Sequence, residues 1–293
     1  VAIAVIAGGA LVFLLLSLYL TYLVHELPRH PVKDPPDWGT VQDIRIAAVD
    51  GGSLEVWRIE PDVASKGIVV LVHGWGRNRD RMVHRARIFG RLGYTTVLPS
   101  VRDHGHSSRC RFMNAMKFAE DIEAVLKWVG EPVILYGHSA GSAGSIIAAE
   151  RNPSMVTILF LEGCYAHTRE ALLSLYRWFN RPFGILFGPI IVFWMNLFYR
   201  GGLDLVSPCR LARKMKIPVM LIHGEKDRRF PLSFAKTLAD SFPNGDAELF
   251  VAKGAGHSEA SLNEGYASAL ADFLRRHTVA PAPGNDSPAR GAI

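Results

Sequence analysis

Three short stretches of the 293-residue chain hold residues able to carry out acyl transfer through a serine. Gly137-His138-Ser139-Ala140-Gly141 sets a serine between two glycines; the apolar run "VILY" leads into it and "SAGSIIAAE" leads out. A serine on a tight strand-to-helix turn projects its hydroxyl from the end of a sheet, and the flanking glycines leave room where strand and helix approach. Serine is a weak nucleophile at neutral pH, so this reading requires a histidine base and a carboxylate to orient it. "LIHGEKDRRFP" supplies Asp227 and "VAKGAGHSEA" supplies His257, each in a loop after a predicted strand. A tetrahedral intermediate also needs N–H donors where its charge develops. The glycine-rich turn in "LVHGWGRN" offers the Trp75 amide, and the helix start offers the Ala140 amide.

Each residue has a competing reading. For Ser139 the plainer reading is a helix-start serine chosen for size, but the strand, the turn and the downstream partners favour the nucleophile. His257 has rivals in His73, His104, His106, His138 and His223, but it alone follows the last predicted strand in a glycine-rich loop. His73 and His223 sit at strand ends and are expected to be structural, and His138 is expected to point away from a serine at the apex of the turn. Glu225 competes with Asp227, and Trp75 fits a core position, since only its backbone N–H enters the mechanism. Cys110, Cys164 and Cys209 lack metal-ligand spacing, so no zinc site or disulfide framework is implied, although one disulfide and a free thiol remain open. The serine chemistry itself calls for no metal and no cofactor.

These residues must be brought together by the elements between them. From residue 40 onward, short apolar runs alternate with helical stretches, the signature of βα units around a largely parallel sheet. Eight strands are predicted, over 41–48, 54–60, 67–73, 94–100, 132–137, 156–163, 217–224 and 247–252, the first two joined as a hairpin by "VDGGS". In an open parallel sheet the carboxyl ends of the strands share one edge, where Ser139, Asp227 and His257 would converge. An insertion at about 164–216 contains the aromatic run "RPFGILFGPIIVFWMNLFYRGG". Its prolines and glycines argue against a second membrane span and for a cap that presents Phe183, Phe187, Phe193 and Trp194 to an acyl chain or to a membrane interface. A cap packed on the domain's own core is the plainer alternative.

Residues 1–24 carry no charge and as a helix extend about 36 Å, enough to cross a bilayer. They read as a single-pass anchor, with a cleaved signal peptide and a secreted product as the runner-up. Residues 25–39, rich in proline and charge, read as a linker lifting the domain off the membrane, and 278–293 as a disordered tail. Arg29 and Lys33 past the anchor point only weakly to a cytoplasmic domain, so the side of the membrane stays open. The net charge of +6 is spread along the chain apart from short groups at 77–91 and 210–216, which suits solubility or an anionic membrane surface and does not indicate nucleic-acid binding.

Taken in order, the HGWG, GHSAG, GEKD and GAGH segments resemble the oxyanion, nucleophile, acid and histidine motifs of the α/β-hydrolase superfamily of serine hydrolases over residues 40–277, most nearly its membrane-anchored bacterial esterase-like members. The resemblance implies an α/β fold with an eight-stranded, mostly parallel sheet, helices on both faces and a helical cap. It favours Asp227 over Glu225 and implies serine hydrolase chemistry, read as a carboxylic ester hydrolase; the apolar cap and anchor, not the resemblance, favour small or lipid-like apolar esters, and no obligatory protein partner is inferred. A thioesterase or an acyltransferase would use the same residues, and a catalytically silent membrane-bound binding module would need none of them. "SVRDHGHSS" at 100–108 departs from the Asp-x-Arg-Gly turn of many relatives, which puts the contacts of that loop in question.

Overall fold

The eight apolar runs form one sheet in a computed structural model that describes residues 1–26, 29–243 and 247–278. The strands are β1 (Thr40–Ala47), β2 (Ser53–Glu60), β3 (Ile68–Val72), β4 (Thr95–Pro99), β5 (Val133–His138), β6 (Val156–Glu162), β7 (Val219–Gly224) and β8 (Ala247–Ala252), close to the expected bounds. Their order across the sheet is β1-β2-β4-β3-β5-β6-β7-β8. β1 and β2 pair as the expected hairpin, β2 pairs antiparallel with β4, and every later pairing is parallel. The hairpin reverses at Asp50 and Gly51, both at positive φ, where glycine relieves the strain.

The helices are α1 (Ala2–Leu23), α2 (Val83–Arg91), α3 (Ala115–Val129), α4 (Ala140–Arg151), α5 (Thr168–Phe179), α6 (Arg181–Leu186), α7 (Gly188–Phe198), α8 (Pro208–Ala212), α9 (Leu232–Ala239) and α10 (Tyr266–His277). Local chemistry sets their limits: the Asn114 side chain caps α3 by accepting from the Lys117 amide, and Gly130 ends it in the left-handed region. Successive strand residues point to opposite faces. Val70, Val72 and Leu135 therefore meet α3, α4 and α8 on one face, while Val69, Leu71 and Tyr136 meet α2 and α10 on the other. With both faces covered, β3 and β5 are buried along their whole length, which is why they read as unbroken apolar runs.

The insertion after β6 folds into α5, α6, α7 and α8, and its aromatic run does not turn toward the carboxyl edge of the sheet. Phe187 stacks on Phe13 of α1 at 5.3 Å, and the Trp194 indole donates to Ser17 Oγ at 2.9 Å. Phe187 and Trp194 therefore pack on α1 instead of facing the Ser139 cavity, while Phe193 stays exposed, as the membrane-interface alternative allows. The 25–39 segment has no helix or strand in its described part, but it does not stand free as a spacer. The Lys33 amide donates to Asp80, the Asn78 amide side chain donates to the His30 carbonyl, and Arg87 pairs with Asp37. Leu27, Pro28 and all but the first residue of the expected tail lie outside the described residues.

Behind the carboxyl edge lies a buried ion pair. Arg85 on α2 holds Glu162 at the end of β6 through two hydrogen bonds, one of them Nη2 to Oε1 at 2.5 Å, and Tyr136 donates to Glu162 at 2.6 Å. Burial works to raise the Glu162 carboxyl, but the Arg85 charge and the hydrogen bonds from Arg85 and Tyr136 together bring it down to about 2. Glu162→Ala leaves the buried guanidinium unpaired and is expected to cost about 3–5 kcal/mol in denaturant unfolding; a loss under about 1 kcal/mol contradicts this role. A depressed carboxyl stabilises the fold above its unfolded value near 4.5, and that contribution disappears as pH falls through about 2. Unfolding measured from pH 6 to pH 2 should therefore show a shallower acid loss in Glu162→Gln than in the unsubstituted chain.

Candidate active site

Ser139 sits between β5 and α4 with φ 56° and ψ −117°, a strained backbone for a residue other than glycine. The strain is held by close packing on either side. A Cβ on Gly137 would lie 2.5 Å from the Gly141 carbonyl oxygen, and one on Gly141 would lie 2.4 Å from the His73 carbonyl oxygen. The Ser139 amide donates to the Glu162 carbonyl at 2.8 Å, which ties the turn to the strand bearing the buried ion pair.

The loops after β7 and β8 bring the other two expected residues to this turn. Ser139 Oγ lies 2.9 Å from His257 Nε2, and His257 Nδ1 lies 2.6 Å from Asp227 Oδ2. The carboxylate accepts a hydrogen bond from Nδ1–H, which puts the ring proton on Nδ1 and leaves Nε2 free to accept from the serine hydroxyl. Asp227 is itself fixed, since its Oδ1 accepts from the Arg229 and Phe230 amides at 2.8 and 3.0 Å. Desolvation raises the Asp227 carboxyl, but the hydrogen bond and charge of His257, with the Phe230 amide and His223, hold it below the usual carboxylate value. Glu225 instead accepts from the Gly254 amide and does not reach the imidazole. The Phe230 ring meets His257 edge to face at 5.2 Å, limiting how the imidazole can rotate.

Trp75 lies on the loop after β3 and lines the same cavity as Ser139. Among the described residues, neither its amide nor that of Ala140 has a protein acceptor. The loop is held in place by two histidines that the sequence reading left as structural or as rivals for the base. His104 Nε2 accepts from the Gly76 amide at 3.1 Å, while its Nδ1 faces the Arg102 carbonyl at 2.8 Å. His73 Nε2 accepts from the Val101 amide at 3.1 Å, with Nδ1 against the Gly74 carbonyl. Both rings must be neutral to accept in this way, and desolvation pushes His104 down to about 4 and His73 further below its ordinary value. The departure at 100–108 is thus accommodated: Arg102 donates to Asp121 on α3, and His104 reaches across to the Trp75 loop.

His138, expected to point away, lines the cavity with its ring 5.4 Å from that of His257. Burial lowers it to about 3, so it is uncharged there. The cavity measures about 300 Å³ and opens beside Trp178 of α5. Its walls are rich in charge: Arg77, Arg81, Lys226, Arg228 and Arg229 line it together with Glu259. The sequence signal for them was present in "GRNRDR" and "EKDRRF", segments in two of the site loops, but nothing in their spacing said that they meet. Among the described residues, no group of three or more histidine, cysteine or carboxylate side chains is placed to hold a metal.

Comparison with known proteins agrees with this architecture. A family model described as the alpha/beta hydrolase family matches residues 69–273. The chain is 24% identical over 239 residues to a monoacylglycerol lipase of Mycolicibacterium smegmatis, covering 69% of this chain and 84% of that one. It is 21% identical over 255 residues to an uncharacterized membrane protein of Saccharomyces cerevisiae, covering 84% of each. Among solved structures, an esterase of Pyrococcus furiosus superimposes with a TM-score of 0.63 at 19% identity, over 85% of this chain and 99% of that one. An esterase of Exiguobacterium antarcticum gives a TM-score of 0.60 at 20% identity, over 80% of this chain and all of the other. An eight-stranded sheet in this order, with a family match spanning most of it, identifies the chain as a member of the alpha/beta hydrolase family.

Proposed function

We propose that the protein is a serine ester hydrolase in which Ser139, His257 and Asp227 form the catalytic triad. The observation that carries this reading is the unbroken hydrogen-bond chain from Ser139 Oγ to His257 to Asp227, at 2.9 and 2.6 Å, on a turn that holds Ser139 at positive φ. In this mechanism His257 takes the Ser139 proton as Oγ attacks the acyl carbonyl, and the Asp227 carboxylate stabilises the imidazolium that results. The Trp75 and Ala140 amides donate to the oxyanion. His257 returns the proton to the departing alcohol, and a water activated by the same histidine releases the acyl group. The acyl chain is proposed to enter a groove of about 820 Å³ lined by Leu173, Trp178, Phe179 and Phe234 and also by Glu170, Arg177 and Arg181, which shares Trp178 and Arg228 with the Ser139 cavity.

The same proposal makes α1 a single-pass membrane anchor. Among the described residues it is the one helix long and apolar enough to cross a bilayer. Ser17 and Thr21 are its buried positions, against α7, while most of its apolar side chains face outward. Ile185, Leu186, Phe193 and Leu197 of α6 and α7 are exposed beside it, so anchor and cap present one continuous apolar surface for the lipid.

Hydrolysis of p-nitrophenyl esters from two to sixteen carbons tests the chemistry. Ser139→Ala should abolish turnover, and Asp227→Asn should lower kcat by about 10⁴-fold. Equal rates in Ser139→Ala and the unsubstituted chain overturn the triad. The anchor is tested by extraction of membranes at pH 11 and by the mass of the product. The intact chain should stay in the membrane pellet; a soluble product lacking residues 1–24 shows instead that the segment is a cleaved signal.

A further inference from the structure

Hydrolysis of a neutral ester needs the triad and two amide donors, yet the cavity around Ser139 holds five cations that this chemistry does not use. Arg77 and Arg81 come from the loop after β3, and Lys226, Arg228 and Arg229 from the loop after β7. Among the described residues, none of the five lies within 4.0 Å of a carboxylate oxygen. Four of the five are exposed and Arg229 is half-buried, whereas the buried Arg79, Arg85 and Arg102 are each ion-paired. Glu259 is the one carboxylate on the cavity wall, and its Oε2 is engaged by the Gly256 amide at 2.9 Å.

Gathering like charges is unfavourable, and the cost is visible. Arg81 is lowered by desolvation and then by Arg85 and Arg77, against Glu162 and Asp80; Arg229 is lowered by desolvation, which Asp227 opposes and Arg77 and Arg81 reinforce. Arg229 is held with its guanidinium 4.1 Å from the centre of the Trp178 ring, which fixes one wall of the cavity. A surface built for solubility intersperses its charges, whereas here one sign converges from two separate loops on a concave site.

We infer that the substrate carries a phosphate on the alcohol side of its acyl ester, and that Arg77, Arg81 and Arg228 bind it. The inference rests on the ester-hydrolase reading and names its substrate class. The acyl C–O bond is the one that breaks; the phosphate ester stays intact and leaves with the alcohol, which takes its proton from His257. Guanidinium groups suit this task because their fixed N–H pairs match phosphate oxygens two at a time.

Two measurements test it. The first is calorimetric binding of hexyl phosphate, with hexanol as the neutral control, to the Ser139→Ala protein, which does not depend on turnover. Hexyl phosphate should bind at least about tenfold more tightly than hexanol, weaken as salt is raised, and lose that advantage when Arg77, Arg81 and Arg228 are all changed to Gln. The second compares kcat/KM for an acylglycerol phosphate with that for the acylglycerol of the same chain. The ratio should favour the phosphate and fall about thirtyfold in the triple variant, while Arg275→Gln, outside the cavity, leaves it unchanged. A hexanoyl substrate in solution and a palmitoyl substrate in vesicles separate a soluble phosphate ester from a lipid headgroup. Equal binding of hexyl phosphate and hexanol overturns the inference, as does a triple variant that loses only its attachment to anionic vesicles. Failure of both esters to turn over, with Ser139 unreactive to a fluorophosphonate, defeats the hydrolase reading alone, and hexyl phosphate binding still decides this one.

Discussion

The pairing of Glu162 with Arg85 holds together the parts on which the site depends. Its backbone carbonyl accepts the Ser139 amide, and its carboxylate takes the Arg85 guanidinium and the Tyr136 hydroxyl. Arg85 in turn reaches the Ser258 carbonyl, one residue from His257. One buried pair therefore connects the strained serine turn, the strand beside it, α2 and the histidine loop. An apolar pair of the same volume could stabilise the fold as well, since desolvation consumes much of what an ion pair gains. It could not set the direction of three loops at once, because only hydrogen bonds carry that directional information.

Much of this was legible in the sequence, for identifiable reasons. β3, β5 and β7 are covered on both faces, so their runs had to be apolar throughout and stood out. The glycines at 137 and 141 are set by contacts with backbone atoms only about 2.5 Å from where a Cβ would lie, a requirement that leaves its mark on residue type. Asp227 and His257 could be placed because parallel strands deliver their carboxyl ends to one edge, so their order along the chain stood in for their position in space.

What was not legible depended on which neighbour wins a side chain. The aromatic run of the insertion suited an acyl pocket as well as a helix partner, and composition cannot decide between them. Phe187 and Trp194 face α1 because Phe13 and Ser17 are there to receive them. His73 and His104 gave no sequence signal for their role, since the groups they bind are backbone amides, which every residue carries. The proline-rich segment after α1 looked like a spacer because proline suppresses helix and strand; it leaves carbonyls and amides free, and the His30 carbonyl and Lys33 amide use that freedom to bond Asn78 and Asp80.

The cations around Ser139 set a constraint on the chemistry itself. In the proposed mechanism His257 gains a proton as Ser139 attacks, and the cations on the same cavity wall oppose it, an effect that solvent weakens because most of them are exposed. Asp227 offsets part of this through its hydrogen bond to Nδ1, and Glu259 on the cavity wall adds a second carboxylate against the five cationic side chains. A bound phosphate places two negative charges, or nearly so, among those side chains and removes much of the opposition as the reaction begins. Substrate binding and formation of the imidazolium are then coupled through the same electrostatic field. A neutral ester meets the triad with that field uncompensated, so discrimination between the two would be expressed in kcat as well as in KM.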